Sequence, residues 1–164
     1  MAKYSKFDAS MVLFDDCPQH TQLEIANSAL GVDEVCDIIH DLSTDTLLRY
    51  FGCANNISFE EAASPSNMAM FFQTLQRCLY KNKHVLFLDL ASNHLFSHRP
   101  SPGNEHMTDY LIKLTDILCD SSIEKIDLSG NCVIGRSGTQ HTGLGNLVKR
   151  FLARQGKALI CRYL

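Results

Sequence analysis

Self-similarity is the feature that most narrows what this chain can become, because a unit repeated along a sequence dictates an array of like structural pieces. Residues 85–95, Val-Leu-Phe-Leu-Asp-Leu-Ala-Ser-Asn-His-Leu, and residues 123–133, Ile-Glu-Lys-Ile-Asp-Leu-Ser-Gly-Asn-Cys-Val, share the frame apolar-x-x-apolar-x-apolar-x-x-Asn-x-apolar. They start 38 residues apart. Residues 48–58 fit with one mismatch, Ser58 at the last apolar place, and lie 37 residues before the 85–95 segment. Residues 20–30 fit more loosely, a further 28 residues back, with Ser28 at the Asn place. Residues 158–164 are expected to begin a fifth unit with Cys161 and Tyr163 pointing inward.

The frame has a physical reading. Alternate side chains of a short strand face opposite ways, so Leu23/Ile25, Phe51/Cys53, Leu88/Leu90 and Ile126/Leu128 point inward and stack from unit to unit. Past the strand the backbone turns away, and its buried peptide groups need partners. An inward Asn carries donor and acceptor together. Asn56, Asn93 and Asn131 are therefore expected to form a ladder, with Ser28 as a shorter substitute and Asn55, outside the ladder place, tolerant of alanine.

Helical periodicity fills the intervals. One stripe is Val32, Val35, Ile38, Ile39 and Leu42; a second is Met68, Phe71, Phe72, Leu75 and Leu79. Met107, Tyr110, Leu111, Leu114, Ile117 and Leu118 make a third, and Leu144, Leu147, Val148, Phe151 and Leu152 a fourth. Such stripes build core.

On these residues the chain resembles the leucine-rich-repeat family, in its ribonuclease-inhibitor-like form with a strand and a helix per repeat. The resemblance covers roughly residues 21–164. It implies an α/β solenoid of about four units plus a terminal strand, with short parallel strands on the concave side and helices on the convex side. Family repeats run ~20–29 residues, so the longer steps imply insertions after the second and third strands. Residues 63–67 and 97–104, rich in Ser, Pro, Asn and Gly, are the expected insertion loops. Residues 1–20 fall outside the frame, and Met11-Val-Leu-Phe14 are expected to form a cap over the first unit.

Composition removes whole classes of function. The 164 residues are 45% hydrophobic and 20% charged, the balance of one globular domain. No apolar run approaches the ~20 residues of a membrane span. A net charge of -3 lacks the basic footprint of a nucleic-acid binder, making nucleic acid an unfavoured partner. Seven cysteines, an odd number with no C-x-x-C pair, argue for a reducing compartment and against a disulfide framework or zinc site. The N-terminus carries no readable signal or transit peptide. The expected location is cytoplasmic.

Candidate chemistry is sparse. Residues 130–137, from Gly130 to Ser137, match G-x-x-x-x-G-K-[ST] except that Arg136 replaces the lysine that reaches the outer phosphates. The apolar helical stripe does not resume until Leu144, and the repeat frame already claims Asn131 and Val133. An inter-repeat loop is the favoured reading, with nucleotide binding as a rival. His94, His98 and His106 lie close in sequence, but Pro100 and Pro102 leave them on a loop with no helix to align them on a metal. Cys17 and Cys132 sit in no catalytic motif. No enzyme, cofactor or metal site is expected.

What the frame offers instead is a surface. The outward strand places stack into columns: Gln22, Tyr50, Phe87 and Lys125, with Ile160 as the expected continuation, then Glu24, Gly52, Asp89 and Asp127, continued by Arg162. A third holds Ala26, Ala54, Ala91 and Ser129. Aromatic residues ringed by charge compose the centre of many interfaces. Tyr50, Phe87, Asp89, Lys125 and Asp127 are thus the expected contacts with a partner protein bearing a basic surface. The opposing reading covers Tyr50 and Phe87 with the N-terminal segment or an insertion loop. The resemblance implies a non-enzymatic interaction module or adaptor. A structural subunit of a large assembly is the alternative. Ending on a strand-like segment, the chain is expected either to be an excerpt of a longer array or to bury that edge against a partner or a copy of itself.

Overall fold

The computed structural model describes residues 21–96, 106–131, 153 and 158–160, giving the backbone alone for 106–109, 111 and 158–160. The described elements, in chain order, are β1 Gln22–Glu24, α1 Val32–Asp41, β2 Tyr50–Gly52, α2 Phe59–Ala62, α3 Pro65–Lys81, β3 Phe87–Asp89, α4 His106–Asp120, β4 Lys125–Asp127 and β5 Ala158–Ile160. The class is α/β. The strands form one parallel sheet in the order β1-β2-β3-β4-β5. The register pairs Leu23, Phe51, Leu88 and Ile126 in one row, so the four segments of the frame are equivalent in space.

Each strand is only three residues, too short to hold a sheet alone. The pairing therefore continues into the turn. Ile25, Cys53 and Leu90 donate their amides to Gly52, Asp89 and Asp127 of the next strand, and Asn27, Asn55 and Ser92 donate theirs to Ala54, Ala91 and Ser129. At that second set the chain reverses through the left-handed region, with φ of 57° at Asn27, 52° at Asn55, 55° at Ser92 and 69° at Gly130. A Cβ on Gly130 would strike the Ser92 side chain, so the stacked turns themselves call for glycine there.

The carboxamides close this turn. Asn93 Oδ1 accepts the amides of Asn56 at 2.9 Å and Ile57 at 3.0 Å, while its Nδ2 donates to the carbonyls of Cys53 at 3.0 Å and Leu90 at 3.1 Å. Asn131 repeats the pattern one unit on, accepting from Asn93 and Leu95 and donating to Leu90 and Leu128. Asn56 does the same one unit back, on Ser28 and Leu30. Every rung reaches back to the preceding unit.

The inward places and the helical stripes make one core. Ile25, Cys53, Leu90, Ile126 and Leu128 are fully buried beneath the α1 stripe, the α3 stripe and Leu114, Ile117 and Leu118 of α4. α3 packs against both α1 and α4. Phe72 stacks on Tyr110 with ring centroids 5.3 Å apart, and the Tyr110 hydroxyl donates to the Pro65 carbonyl at the start of α3. Met107 and Leu111 have undescribed side chains, and the fourth stripe and Met11-Val-Leu-Phe14 lie outside the described residues.

The expected loop at 63–67 is instead the start of a helix. Ser58 and Glu61 form a capping box on α2, Ser64 caps α3 and Pro65 takes its first position. The turn-forming composition was a helix-start signal. The extra sequence goes into helix: α3 has 17 residues against 10 in α1, about 25 Å against about 15 Å of axis. The 97–104 segment is outside the described residues.

A second correction concerns the last strand. Ala158, not Ile160, stands opposite Lys125, and Ile160 stands opposite Asp127, so Leu159 takes the row that Cys161 was expected to take. The inward and outward parity is kept, but the register is displaced by two residues. Cys161, Arg162 and Tyr163 lie outside the described residues.

The helix ends are tied down by two residues the frame does not contain. Asn82, 2% exposed, donates to the carbonyls of Leu42 and Asp45 in the preceding unit and accepts the amides of His84 and Val85. Lys83 Nζ donates to the last carbonyls of both α3, at Leu79, and α4, at Asp120, where a cation meets two helix C-termini.

Asn93→Ala leaves buried amides and carbonyls bare and is expected to destabilise the fold by about 1–3 kcal/mol in denaturant melts. Asn82→Ala should fall in the same range. The proper control is Asn55→Gly, expected to be mild because it loses only the exposed bond from Asn55 Nδ2 to Asn27 Oδ1; Asn55→Ala is not, because it loses that bond and also forces alanine into a left-handed turn. Equal losses for Asn93→Ala and Asn55→Gly would overturn the ladder.

Candidate functional site

The face of the sheet away from the main core is built by the outward strand places. The register aligns Gln22, Tyr50, Phe87 and Lys125 in one column and Glu24, Gly52, Asp89 and Asp127 in the next. Tyr50, Phe87, Asp89, Lys125 and Asp127 are therefore brought together on one surface, as strand alternation requires.

Their exposure differs from expectation. Tyr50 is 0% exposed, Phe87 8% and Asp89 8%, whereas Lys125 and Asp127 are half-buried. Tyr50 and Phe87 form a small apolar cluster with Leu86, separate from the main core. The aromatic rings are not anchors standing open to a partner. Lys125 lies over the Phe87 ring, its Nζ 5.1 Å from the centroid, in cation–π geometry.

Tyr50 owes its position to Gly52. The Tyr50 hydroxyl donates to Glu24 Oε2 at 2.5 Å, and both groups occupy the space a side chain at position 52 would fill. Glycine is needed here for room. Burial, reinforced by the adjoining Glu24 carboxylate, holds the Tyr50 phenol above its ordinary range.

The acidic column has a structural task that sequence reasoning missed. Glu24 accepts the amide of Ala26 at 2.9 Å, Asp89 that of Ala91 at 2.8 Å and Asp127 that of Ser129 at 2.8 Å. In each case an acid at the strand's end holds the amide two residues on and starts the turn. The signal was present as an acid two places before a small residue in three of the four units. Gly52 is the exception.

Burial pushes the Asp89 carboxyl up to about 6, against the pull of the Ala91 amide and with the charges of Asp127 and Glu24 adding to the rise. Of the buried thiols, burial alone moves Cys78 up to about 11; Cys36 also reaches about 11 through burial, opposed by a hydrogen bond with Thr74. These cysteines are core residues, free of disulfides together with Cys53 and Cys119. Glu61 differs: burial pulls its carboxyl up, but the amides of Ser58 and Val32 and the Ser58 hydroxyl outweigh it and leave the group below its ordinary range. By accepting from Val32 it caps α1 as well as α2.

The remaining sequence candidates do not converge. Gly130 and Asn131 belong to the turn after β4, with Asn131 in the ladder, and 132–137 lie outside the described residues. His94 sits in a left-handed turn with its ring edge-on to Phe59, His106 opens α4, and His98 is outside the described residues. Among the described residues no group of three His, Cys, Asp or Glu side chains could hold a metal, and no helix is long and apolar enough to cross a membrane. Cys17 and Cys132 are outside the described residues. Comparison with protein-family models, with curated proteins and with solved structures finds no match to this chain.

Two outcomes follow from the burial of this face. Phe87→Ala is expected to destabilise the free chain by about 3 kcal/mol, since it empties a buried cluster; an unchanged melt would show the ring to be dispensable. Asp89 binds its proton more tightly folded than unfolded, so its contribution to stability is greatest below about pH 4 and is lost as pH rises through about 6. Asp89→Asn keeps an acceptor for the Ala91 amide and lacks that loss. Its melting temperature should match the parent at pH 4 and exceed it at pH 7.5, by about 1–3 kcal/mol in stability.

Proposed function

We propose that the chain is a leucine-rich-repeat module whose outward sheet face binds another protein and that it carries no catalytic function. The observation that carries this reading is the equivalence of four strand-turn segments in register, each locked to the one before by an asparagine in the same place. An array of this kind presents its outward side chains as straight columns, which suits it to hold an extended or convex partner. The sheet and its flanking helices fit a repeat array with strands on the inner side of a curve, the finer architecture we assign to it.

Lys125 and Asp127 are the contacts within reach on this reading. Both are half-buried and lie beside the small residues Ala91 and Ser129, where a partner's backbone can approach the sheet. Tyr50 and Phe87, buried on the same face, stiffen the platform beside them. The buried thiols favour a reducing compartment, and we place the protein in the cytoplasm.

The test separates folding from binding. Wild-type chain and the Asp127→Asn and Lys125→Glu chains, the first keeping an acceptor for the Ser129 amide, are cross-linked in extract from native cells, with melting curves in parallel. One protein partner retained by the wild type and reduced about tenfold or more by either substitution, with unchanged melts, is the expected result. A partner retained equally by all three removes this face from the proposal. A rise in melting temperature with ATP or GTP would replace the proposal with a nucleotide-binding role for residues 130–137.

A further inference from the structure

The helical layer has a surface of its own, across the core from the outward sheet face. Charge is sorted along this chain: residues 7–48 hold nine Asp and Glu and no Lys or Arg, and residues 62–88 hold three Lys and Arg and no Asp or Glu. The fold sets these two stretches side by side. α1 packs against α3, Cys36 is hydrogen-bonded to Thr74, and Asn82 at the end of α3 bonds the carbonyls of Leu42 and Asp45 just past α1. Asp37 and Asp41 therefore stand on the exposed side of α1 level with Arg77 and Lys81 on the exposed side of α3. Asp41 also has His40 at 3.7 Å, an exposed pair of little strength.

The same rim carries apolar area. Tyr80 is 77% exposed and Leu47 68%, the two most exposed large hydrophobic side chains among the described residues, and the bond from Asn82 to the Asp45 carbonyl brings their segments together. Lys83 lies over the Tyr80 ring, its Nζ 5.4 Å from the centroid, and the same ammonium bonds the Leu79 and Asp120 carbonyls, so the cation beside the ring is tethered to the ends of two helices. Apolar side chains at the centre with charge around them have the anatomy of an interface.

We propose that this rim binds the same rim of a second copy of the chain, related to it by a two-fold axis. Acid lies on one helix and base on the next, so a partner charged with either sign alone would be repelled by half of the surface. A two-fold turn matches the two halves. Asp37 and Asp41 of each copy meet Arg77 and Lys81 of the other, with Tyr80 and Leu47 of both copies near the axis. The contact is at the small end of specific interfaces, and its charges are exposed, so the dimer is weak and sensitive to salt. It makes no use of the outward sheet face and stands whether or not that face binds a partner.

Sedimentation velocity on the full-length chain, from about 10 μM to about 1 mM, tests this, with melting curves in parallel. The wild type is expected to show a monomer–dimer equilibrium whose Kd rises about tenfold or more between about 0.05 M and about 0.5 M salt. A chain with Arg77→Glu and Lys81→Glu, and another with Asp37→Lys and Asp41→Lys, should each be monomeric. Their equimolar mixture should dimerise, because each then meets opposite charge on both sides of the axis. Adding Tyr80→Ser to both chains should abolish the recovered dimer, which separates docking at this rim from general attraction between oppositely charged proteins. Where a reversed chain melts early, Arg77→Gln with Lys81→Gln takes its place and should weaken the wild-type dimer about tenfold or more. A wild type that stays monomeric throughout, a dimer untouched by the substitutions, a mixture that does not recover, a recovered dimer that survives Tyr80→Ser, or growth past the dimer overturns the proposal.

Discussion

The asparagine side chain in the turn is the interaction on which the rest depends. Three-residue strands cannot define a sheet, and a reversal inside a core leaves amides and carbonyls that water cannot reach. A carboxamide answers both needs because it accepts from two amides and donates to two carbonyls at once. With Asn56, Asn93 and Asn131 fully engaged, the strands are held in a single register, and the side-chain columns on both faces follow from that.

The same constraint explains why the two faces of the sheet were not equally legible. Inward places declare themselves through apolar identity at fixed spacing, and Ile25, Cys53, Leu88, Leu90, Ile126 and Leu128 are buried where the frame puts them. The helical stripes were readable for the same reason. Outward places carry no such signature. Tyr50 and Phe87 have the composition of an exposed interface and the burial of a second small core, a difference that depends on what packs above the sheet and is not encoded locally.

Other misreadings came from residues with two meanings. Serine and proline at 64 and 65 mark a turn or a helix start, and only the following stripe of α3 decides. Asn55 looks like a spare polar residue next to the ladder, yet it supplies the left-handed turn that delivers Asn56 to its rung. The last strand lacks an asparagine rung to fix its place in the sequence, and without that anchor the expected register slipped by two residues while keeping its parity. Asn82 has no counterpart in the frame because it joins helix ends, where spacing varies between units.

The ladder also has a direction. Each carboxamide completes the unit before its own: Asn131 saturates the turn of Asn93, Asn93 that of Asn56, and Asn56 that of Ser28. Removing a unit is thus not symmetric. Peeling residues from the N-terminal end takes away only the groups that a rung serves, whereas peeling from the C-terminal end takes the rung itself and strands the bare turn of the unit left behind. Unravelling should run like a zip, with each opening at the C-terminal side loosening the next, and the array is polar in its mechanics although its strands are alike.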